Sequence, residues 1–208
     1  MTLRDISIAL APGTPPWPGD TPFSCGWTWQ MSAGASVNVS AFTSSPHVGT
    51  HADAPLHVAA KGMAADEMPL TVFTGPARVL TVDGAKTELT AADFAAIGGA
   101  RVERLLLRTG RSIADGSFPG AWPACSLDAV RGLLDRGLRL LGVDAPSVDE
   151  RESKSLAVHH ALFDAHAFIL ENLDLRGVPD GSYDLLALPV KLAGLDAAPV
   201  RAALRPLI

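Results

Sequence analysis

The chain has 208 residues, enough for one domain over 1–208 that buries roughly 70% of its unfolded surface without a disulfide or a structural metal. A formal net charge of −5 and the lack of a Lys/Arg cluster argue against a nucleic-acid partner. No apolar run approaches the ~20 residues of a membrane span, no signal peptide is evident, and Cys25 and Cys125 make no disulfide framework. These features predict a cytoplasmic protein.

The first third of the chain has the pattern of strand and loop. Five prolines between positions 12 and 22 forbid regular helix and predict an extended or looped arm. Trp17 lies among these prolines, and Trp27 and Trp29 follow closely. An arm with exposed tryptophans would also suit a partner-binding protein without catalysis, so this class stays open.

Beyond the arm, strand and helix patterns alternate, which predicts an α/β domain. Helices are predicted over 89–99, 126–137 and 153–165, the first two capped by Thr90 and Ser126. The buried face predicted for the second helix consists of Leu127, Val130, Leu133 and Leu134. Strands are predicted over 77–84, 104–110, 138–144, 167–171 and, as the last strand, 184–192.

Three of the six histidines lie in SPHVGTHADAPLH, residues 45–57, together with Asp53. Gly49 and the proline after Asp53 disfavour a helix. On a straight strand His47 and His51 would be about 13 Å apart, too far to share an ion that holds its ligands at about 2.0–2.2 Å. The segment is therefore predicted to bend sharply at Gly49, which tolerates φ values that other residues avoid.

The chemistry of this segment is that of a metal site. Imidazole and carboxylate ligands without thiolate suit zinc, manganese or iron. One ion held by His47, His51 and Asp53 would keep an open position, as catalytic zinc sites do. His57 would either complete the shell or act as a general acid or base.

A second group of candidate ligands lies in HHALFDAHAFILENL. Glu171 follows an apolar run, and a carboxylate at the end of a buried strand is costly unless it is paired or coordinated. Together with His159 or His160 it could hold a second ion that Asp53 bridges to the first. His166 is expected to have no direct role.

The motif HVGTHADAPLH, of the form H-x-G-T-H-x-D-A-P-x-H, resembles the metal-dependent hydrolases of the cyclase family. The resemblance continues in TPPWPGD and in GVDAPSVDERESKSLAVHHALFDAHAFILENL, and so covers nearly the whole chain. The Trp17 context and the Glu171 segment narrow it toward the formamidase branch. This implies a mixed α/β fold of the swivelling β/β/α type in a single domain, as a homodimer.

The resemblance also implies a reaction and a role for each candidate residue. The expected activity is that of an arylformamidase, which hydrolyses N-formyl-L-kynurenine to L-kynurenine and formate in tryptophan degradation. By this resemblance, His47, His51 and Asp53 would bind one zinc ion, and Asp53 would bridge to a second zinc ion bound also by His159 and Glu171. His57 would transfer protons, and Trp17 would contact the aromatic ring of the substrate. The twelve-residue spacing to Glu171 favours His159 over His160.

Several alternatives stay open. Manganese would accept the same nitrogen and oxygen ligands as zinc. Another cyclase-family hydrolase, acting on an isatin-type ring, would use a similar site. A metal held only for structure would give a non-catalytic module. Trp17 would serve either its own subunit or a neighbouring one.

Overall fold

The structure is a computed structural model that describes residues 2–207. Four of the predicted strands lie side by side in its nine-stranded mixed sheet. The strands of this sheet are β1 (Arg4–Asp5), β4 (His51–Asp53), β5 (Thr74–Thr81), β7 (Arg104–Arg108), β9 (Leu140–Val143), β10 (Phe168–Glu171), β11 (Gly181–Leu186), β12 (Ala197–Pro199) and β13 (Ala203–Pro206). Two smaller sheets pair β2 (Ser24–Trp29) with β3 (Val39–Thr43) and β6 (Glu88–Leu89) with β8 (Ala124–Cys125). The large sheet has the order β1-β13-β11-β5-β7-β9-β10-β4-β12.

The middle of the sheet is parallel and deeply buried. β5, β7, β9 and β10 run parallel to one another, with Leu105 opposite Leu141 and Leu141 opposite Ile169. Strands that are covered on both faces have continuous apolar runs rather than alternating ones, and these runs allowed the four strands to be predicted from the sequence. The last residue of β10 is Glu171, so this rigid layer ends at a predicted ligand.

Two α-helices cover the sheet, α1 (Leu127–Asp135) and α2 (Ala157–Asp164). The Ser126 hydroxyl caps α1 by accepting from the Ala129 N–H at 3.2 Å, as predicted. Leu127, however, is 37% exposed, so its assignment to the buried face was wrong. Leu127 is the first residue of α1. Because helical side chains point toward the N-terminus of the helix, its side chain extends beyond the part of α1 that packs on the core.

Of two further element predictions, one is confirmed and one needs correction. The short helix predicted over 89–99 is present as a 3₁₀ helix over Ala91–Ile97, and Asp93 accepts from the Thr90 N–H at 2.8 Å. The strand predicted over 184–192 ends with β11 at Leu186, and β12 and β13 follow it. β11 ends at the ends of its two partners, because Leu186 lies opposite Thr74 and Ala203, the first residues of β5 and β13.

The mixed α/β fold class is confirmed. No regular helix forms among the prolines of the arm, and the hairpin of β2 and β3 follows it. Within residues 2–207, no helix has the length and apolar character needed to span a membrane.

Candidate active site

Strand β4 lies between two antiparallel neighbours and carries two of the predicted ligands. His51 and Asp53 are two residues apart, so their side chains share one face of the sheet. Glu171 of β10 lies directly opposite His51, and side chains opposite each other in an antiparallel pair point the same way. The sheet therefore brings together ligands from both predicted clusters.

The predicted bend at Gly49 is present. Gly49 has φ +73°, in the left-handed region, and the chain turns there so that His47 folds back over β4. His47 Nδ1 lies 3.2 Å from His51 Nε2 instead of the ~13 Å of an extended strand.

Three ligand atoms form a small triangle around a common centre. His47 Nδ1 and His51 Nε2 lie 3.0 and 3.1 Å from Asp53 Oδ1. Atoms bound to one tetrahedral ion at about 2.0 Å would be about 3.3 Å apart, so the spacing suits a shared cation. Asp53 Oδ1 is also buried without a hydrogen-bond partner, a costly state that a cation would relieve.

The other oxygen of Asp53 faces the second cluster. Asp53 Oδ2 lies 3.2 Å from His159 Nε2, and Glu171 Oε1 lies 3.6 Å from the same nitrogen. Of the adjacent histidines it is His159 that is buried in the cluster, while His160 and His166 are exposed. Asp53 thus has one oxygen toward each group, the arrangement that a bridging carboxylate requires.

Asp149 orients His159. Asp149 was not among the site residues predicted from the sequence. Its two oxygens accept from the backbone N–H groups of Val158 and His159 at 3.0 Å, which caps the start of α2. Asp149 Oδ2 also lies 2.6 Å from His159 Nδ1. The only sequence signal was its place in the resemblance segment GVDAPSVDE.

The outer nitrogens of the histidines fix where the protons lie. A carbonyl or carboxylate oxygen can only accept, so the facing ring nitrogen must donate. His51 Nδ1 donates to the Gly49 carbonyl at 2.9 Å, and His159 Nδ1 donates to Asp149. Each Nε2 then faces the cluster and would offer its lone pair to a metal ion that replaces the proton there.

Electrostatics give the same requirement for positive charge. Burial lowers the pKa of His47, but Asp53 outweighs it and the pKa is raised to about 10. Burial also lowers the pKa of His159, while its hydrogen bond to Asp149 contributes to a net rise to about 10. Burial and the charge of Asp53 raise the pKa of Glu171 to about 7. The carboxylates thus hold cationic charge at their centre, and a divalent ion meets the same demand.

The cluster forms the floor of a cavity of about 290 Å³. Trp17 lies on its wall, edge-on to Phe118 at 5.4 Å and to Trp122 at 5.8 Å between ring centroids. The Trp122 indole N–H donates to the Asp149 carbonyl at 2.7 Å, so the aromatic wall is tied to the segment that orients His159. Phe118 and Trp122 lie far from Trp17 in the sequence, and they were not predicted to belong to the site.

His57, Asp196 and Asn172 complete the site. The His57 side chain is 31% exposed, and burial lowers its pKa, which keeps the ring neutral at neutral pH. Asp196 Oδ2 lies 3.2 Å from His57 Nδ1. Asn172 lines the cavity with a buried Oδ1 that has no hydrogen-bond partner. Neither Asp196 nor Asn172 was predicted, because each looks ordinary in its local sequence.

The mixed sheet and the histidine–carboxylate cluster are those of a hydrolase with a metal site. The "Cyclase" family model, described as "Putative cyclase", matches residues 4–150. The chain is 44% identical over 209 residues to a kynurenine formamidase from Salinibacter ruber (strain DSM 13855 / M31), covering 99% of this chain and 98% of that protein. The chain belongs to the Cyclase family.

Solved structures share the fold. A "predicted metal-dependent hydrolase" from Bacillus stearothermophilus is 30% identical, with a TM-score of 0.82 over 98% of this chain and 97% of that one. Isatin hydrolase A from Labrenzia aggregata, bound to benzyl benzoate, is 24% identical, with a TM-score of 0.77 over 98% of this chain and 93% of that one. At that identity the second likeness describes the fold alone.

Proposed function

We propose that this protein is an arylformamidase that hydrolyses N-formyl-L-kynurenine to L-kynurenine and formate in tryptophan degradation. One observation carries the proposal: the triangle of ligand atoms, 3.0–3.2 Å apart, lies at the floor of a cavity with Trp17 on its wall. The 44% identity to a kynurenine formamidase over nearly the whole chain supports the choice of substrate.

The proposed cofactor is zinc, as two ions per subunit. His47, His51 and Asp53 would hold one ion, and Asp53, His159 and Glu171 the other. The unpartnered oxygen of Asp53 and the inward-facing ring nitrogens of the histidines support this ligand set. Bound zinc would supply a water acidified toward a pKa of ~7 and a positive charge for the formyl oxygen. Manganese is the alternative ion, because it accepts the same ligands.

His57 is the proposed general base and acid. The reaction adds water across the formyl C–N bond, so a proton must move from the attacking water to the aryl nitrogen. A neutral His57 ring beside the cavity floor can take this proton and deliver it to the departing amine. The aryl amine leaves more readily than an alkyl amine because its lone pair is shared with the ring.

The remaining cavity residues bind the substrate in this proposal. Trp17 offers a flat apolar face for the substrate ring, and Phe118 and Trp122 hold the indole in place. The unpartnered Oδ1 of Asn172 can accept a hydrogen bond from the polar part of the substrate. Trp17 lines the cavity above the histidines of its own chain, which supports the proposal that it serves its own subunit.

A homodimer in the cytoplasm is the proposed state. The hairpin of β2 and β3 is exposed along its whole length, and Trp27, Trp29 and Phe42 are each at least 58% exposed. A two-stranded hairpin is marginal in water alone, and a large apolar patch marks an interaction surface. Replacing Trp27 and Phe42 by Glu should give a monomer by light scattering; an unchanged mass would contradict this interface.

The test uses purified full chain with N-formyl-L-kynurenine and isatin as competing substrates. We expect formate release from the first, little turnover of the second, about two zinc ions per chain, and activity that is lost on chelation and restored by zinc. His57→Ala should keep its metal and lower kcat by roughly 10²–10⁴-fold, while His166→Ala, an exposed control, should match wild type. Full activity in chelated protein, or preference for isatin, would refute the proposal.

A further inference from the structure

One oxygen of Asp196 contacts two histidines of the site. Asp196 Oδ2 lies 3.0 Å from His47 Nε2 and 3.2 Å from His57 Nδ1. These contacts join segments that are 149 and 139 residues apart in sequence. They are not needed to build the cluster of ligand atoms, so they call for a separate explanation.

The backbone holds Asp196 rigidly at this place. Its carbonyl accepts from the Ala54 N–H at 2.9 Å, directly after the ligand strand β4. The preceding residue, Leu195, accepts from the Ala65 N–H at 2.8 Å. Asp196 then leads into β12, whose first residue lies opposite Asp53. Its side chain is 41% exposed, yet its position is set by the sheet.

The contacts determine which nitrogens carry protons. An ionised carboxylate oxygen accepts and cannot donate, so both ring nitrogens that face it must donate. His47 then keeps its proton on Nε2 when a metal ion takes the place of the proton on Nδ1, the nitrogen that lies 3.0 Å from Asp53. His57 carries its proton on Nδ1 and keeps Nε2 free to accept a proton.

We propose that Asp196 is a positioning residue that sets the tautomer and orientation of both rings: His47 for binding metal and His57 for accepting a proton. This inference depends on the roles of the two histidines in the proposed function. Without the carboxylate, His57 can rotate and populate both tautomers, since its side chain is partly exposed to water. Loss of a partner that orients a metal ligand costs about 10–100-fold in metal affinity or activity.

The experiment compares Asp196→Asn and Asp196→Glu in the full chain. Asn keeps the size but loses the charge, and Glu keeps the carboxylate. Asp184→Asn is the matched control, because Asp184 of β11 pairs with Arg205 of β13, and β11 lies four strands from β10. Three quantities are measured: zinc affinity by competition with a chromophoric chelator, histidine ring nitrogen NMR of the zinc-loaded protein, and kcat and KM at saturating zinc.

For Asp196→Asn we expect about 10–100-fold weaker zinc binding, a mixed tautomer signal for His57, and a kcat about 100-fold lower with KM within about threefold. Glu should recover part of each effect, and the control should match wild type. An unchanged His57 signal, or wild-type kcat once zinc is saturating, would overturn the inference. Should wild type hydrolyse no formamide, the proposed function fails, while zinc affinity and NMR still decide the role of Asp196.

Discussion

Replacing Gly49 by alanine tests the bend on which the metal site depends. Gly49 has φ +73°, and an added Cβ would lie 2.5 Å from Leu10 Cδ2. The left-handed backbone costs an ordinary residue about 1–2 kcal/mol. Leu10 must also leave its preferred rotamer, at about 0.5–1.5 kcal/mol, because the contact is with the end of its side chain. We expect a loss of about 2–3 kcal/mol in the free energy of unfolding.

The substitution should also weaken metal binding. Opening the turn would relieve the strain but move His47 away from His51, whose facing nitrogens are 3.2 Å apart. If about 2 kcal/mol is needed to hold the turn closed on the ion, zinc affinity falls by roughly 30-fold.

Two further variants separate the two causes. Gly116 has φ +83° and no atom within 4 Å of an added Cβ, so Gly116→Ala carries the backbone cost alone, about 1–2 kcal/mol. Leu10→Ala combined with Gly49→Ala removes the clash, and the pair should show a coupling energy of about 1 kcal/mol.

Stability is measured by urea unfolding in chelator and affinity by zinc competition. Gly49→Ala with wild-type stability and wild-type zinc affinity would refute the reasoning. Equal losses in the free energy of unfolding for Gly49→Ala and Gly116→Ala would show that the clash with Leu10 contributes nothing, while the backbone cost would stand.

Four further predictions concern the metal and the side chains around it. Asp149→Asn should weaken zinc binding about 10–100-fold in chelator competition, because His159 loses its orienting acceptor. Zinc at 100 times its dissociation constant should stabilise the protein by about 2.7 kcal/mol, seen as a thermal midpoint about 5–10 °C above that of chelated protein. Trp17→Ala should raise KM and leave zinc content unchanged; a fall in kcat alone would contradict its binding role. Alkylation followed by mass spectrometry should leave Cys125 unmodified in the native state, because burial raises the pKa of its thiol to about 12.

The parts of the site that could be predicted are those encoded over a few residues. The bend at Gly49 follows from distances alone, since His47 and His51 cannot share an ion on an extended strand. The central strands were readable because parallel strands that are buried on both faces have uninterrupted apolar runs. Glu171 stood out because it ends such a run.

The residues that escaped prediction act across long distances in the chain. Asp196 reaches His57 across 139 residues, and its own segment looks like an ordinary surface turn. Phe118 and Trp122 join Trp17 from a loop about 100 residues away, and their sequence has no motif. Only the pairing of β12 with β4 brings Asp196 to the site, and strand order is not visible in the local pattern.

The site therefore combines two levels of sequence encoding. The proposed ligand atoms are set locally, by the spacing within residues 47–53 and by the end of β10. Which nitrogens carry protons is set partly by Gly49 nearby, but also by Asp149 and Asp196, which come from other parts of the fold. A chain with the same histidine motif and a different residue before β12 would keep its ligand atoms and lose the acceptor that orients His57. The motif predicts the metal ligands, and the topology of the sheet places Asp196 against His57, the proposed base.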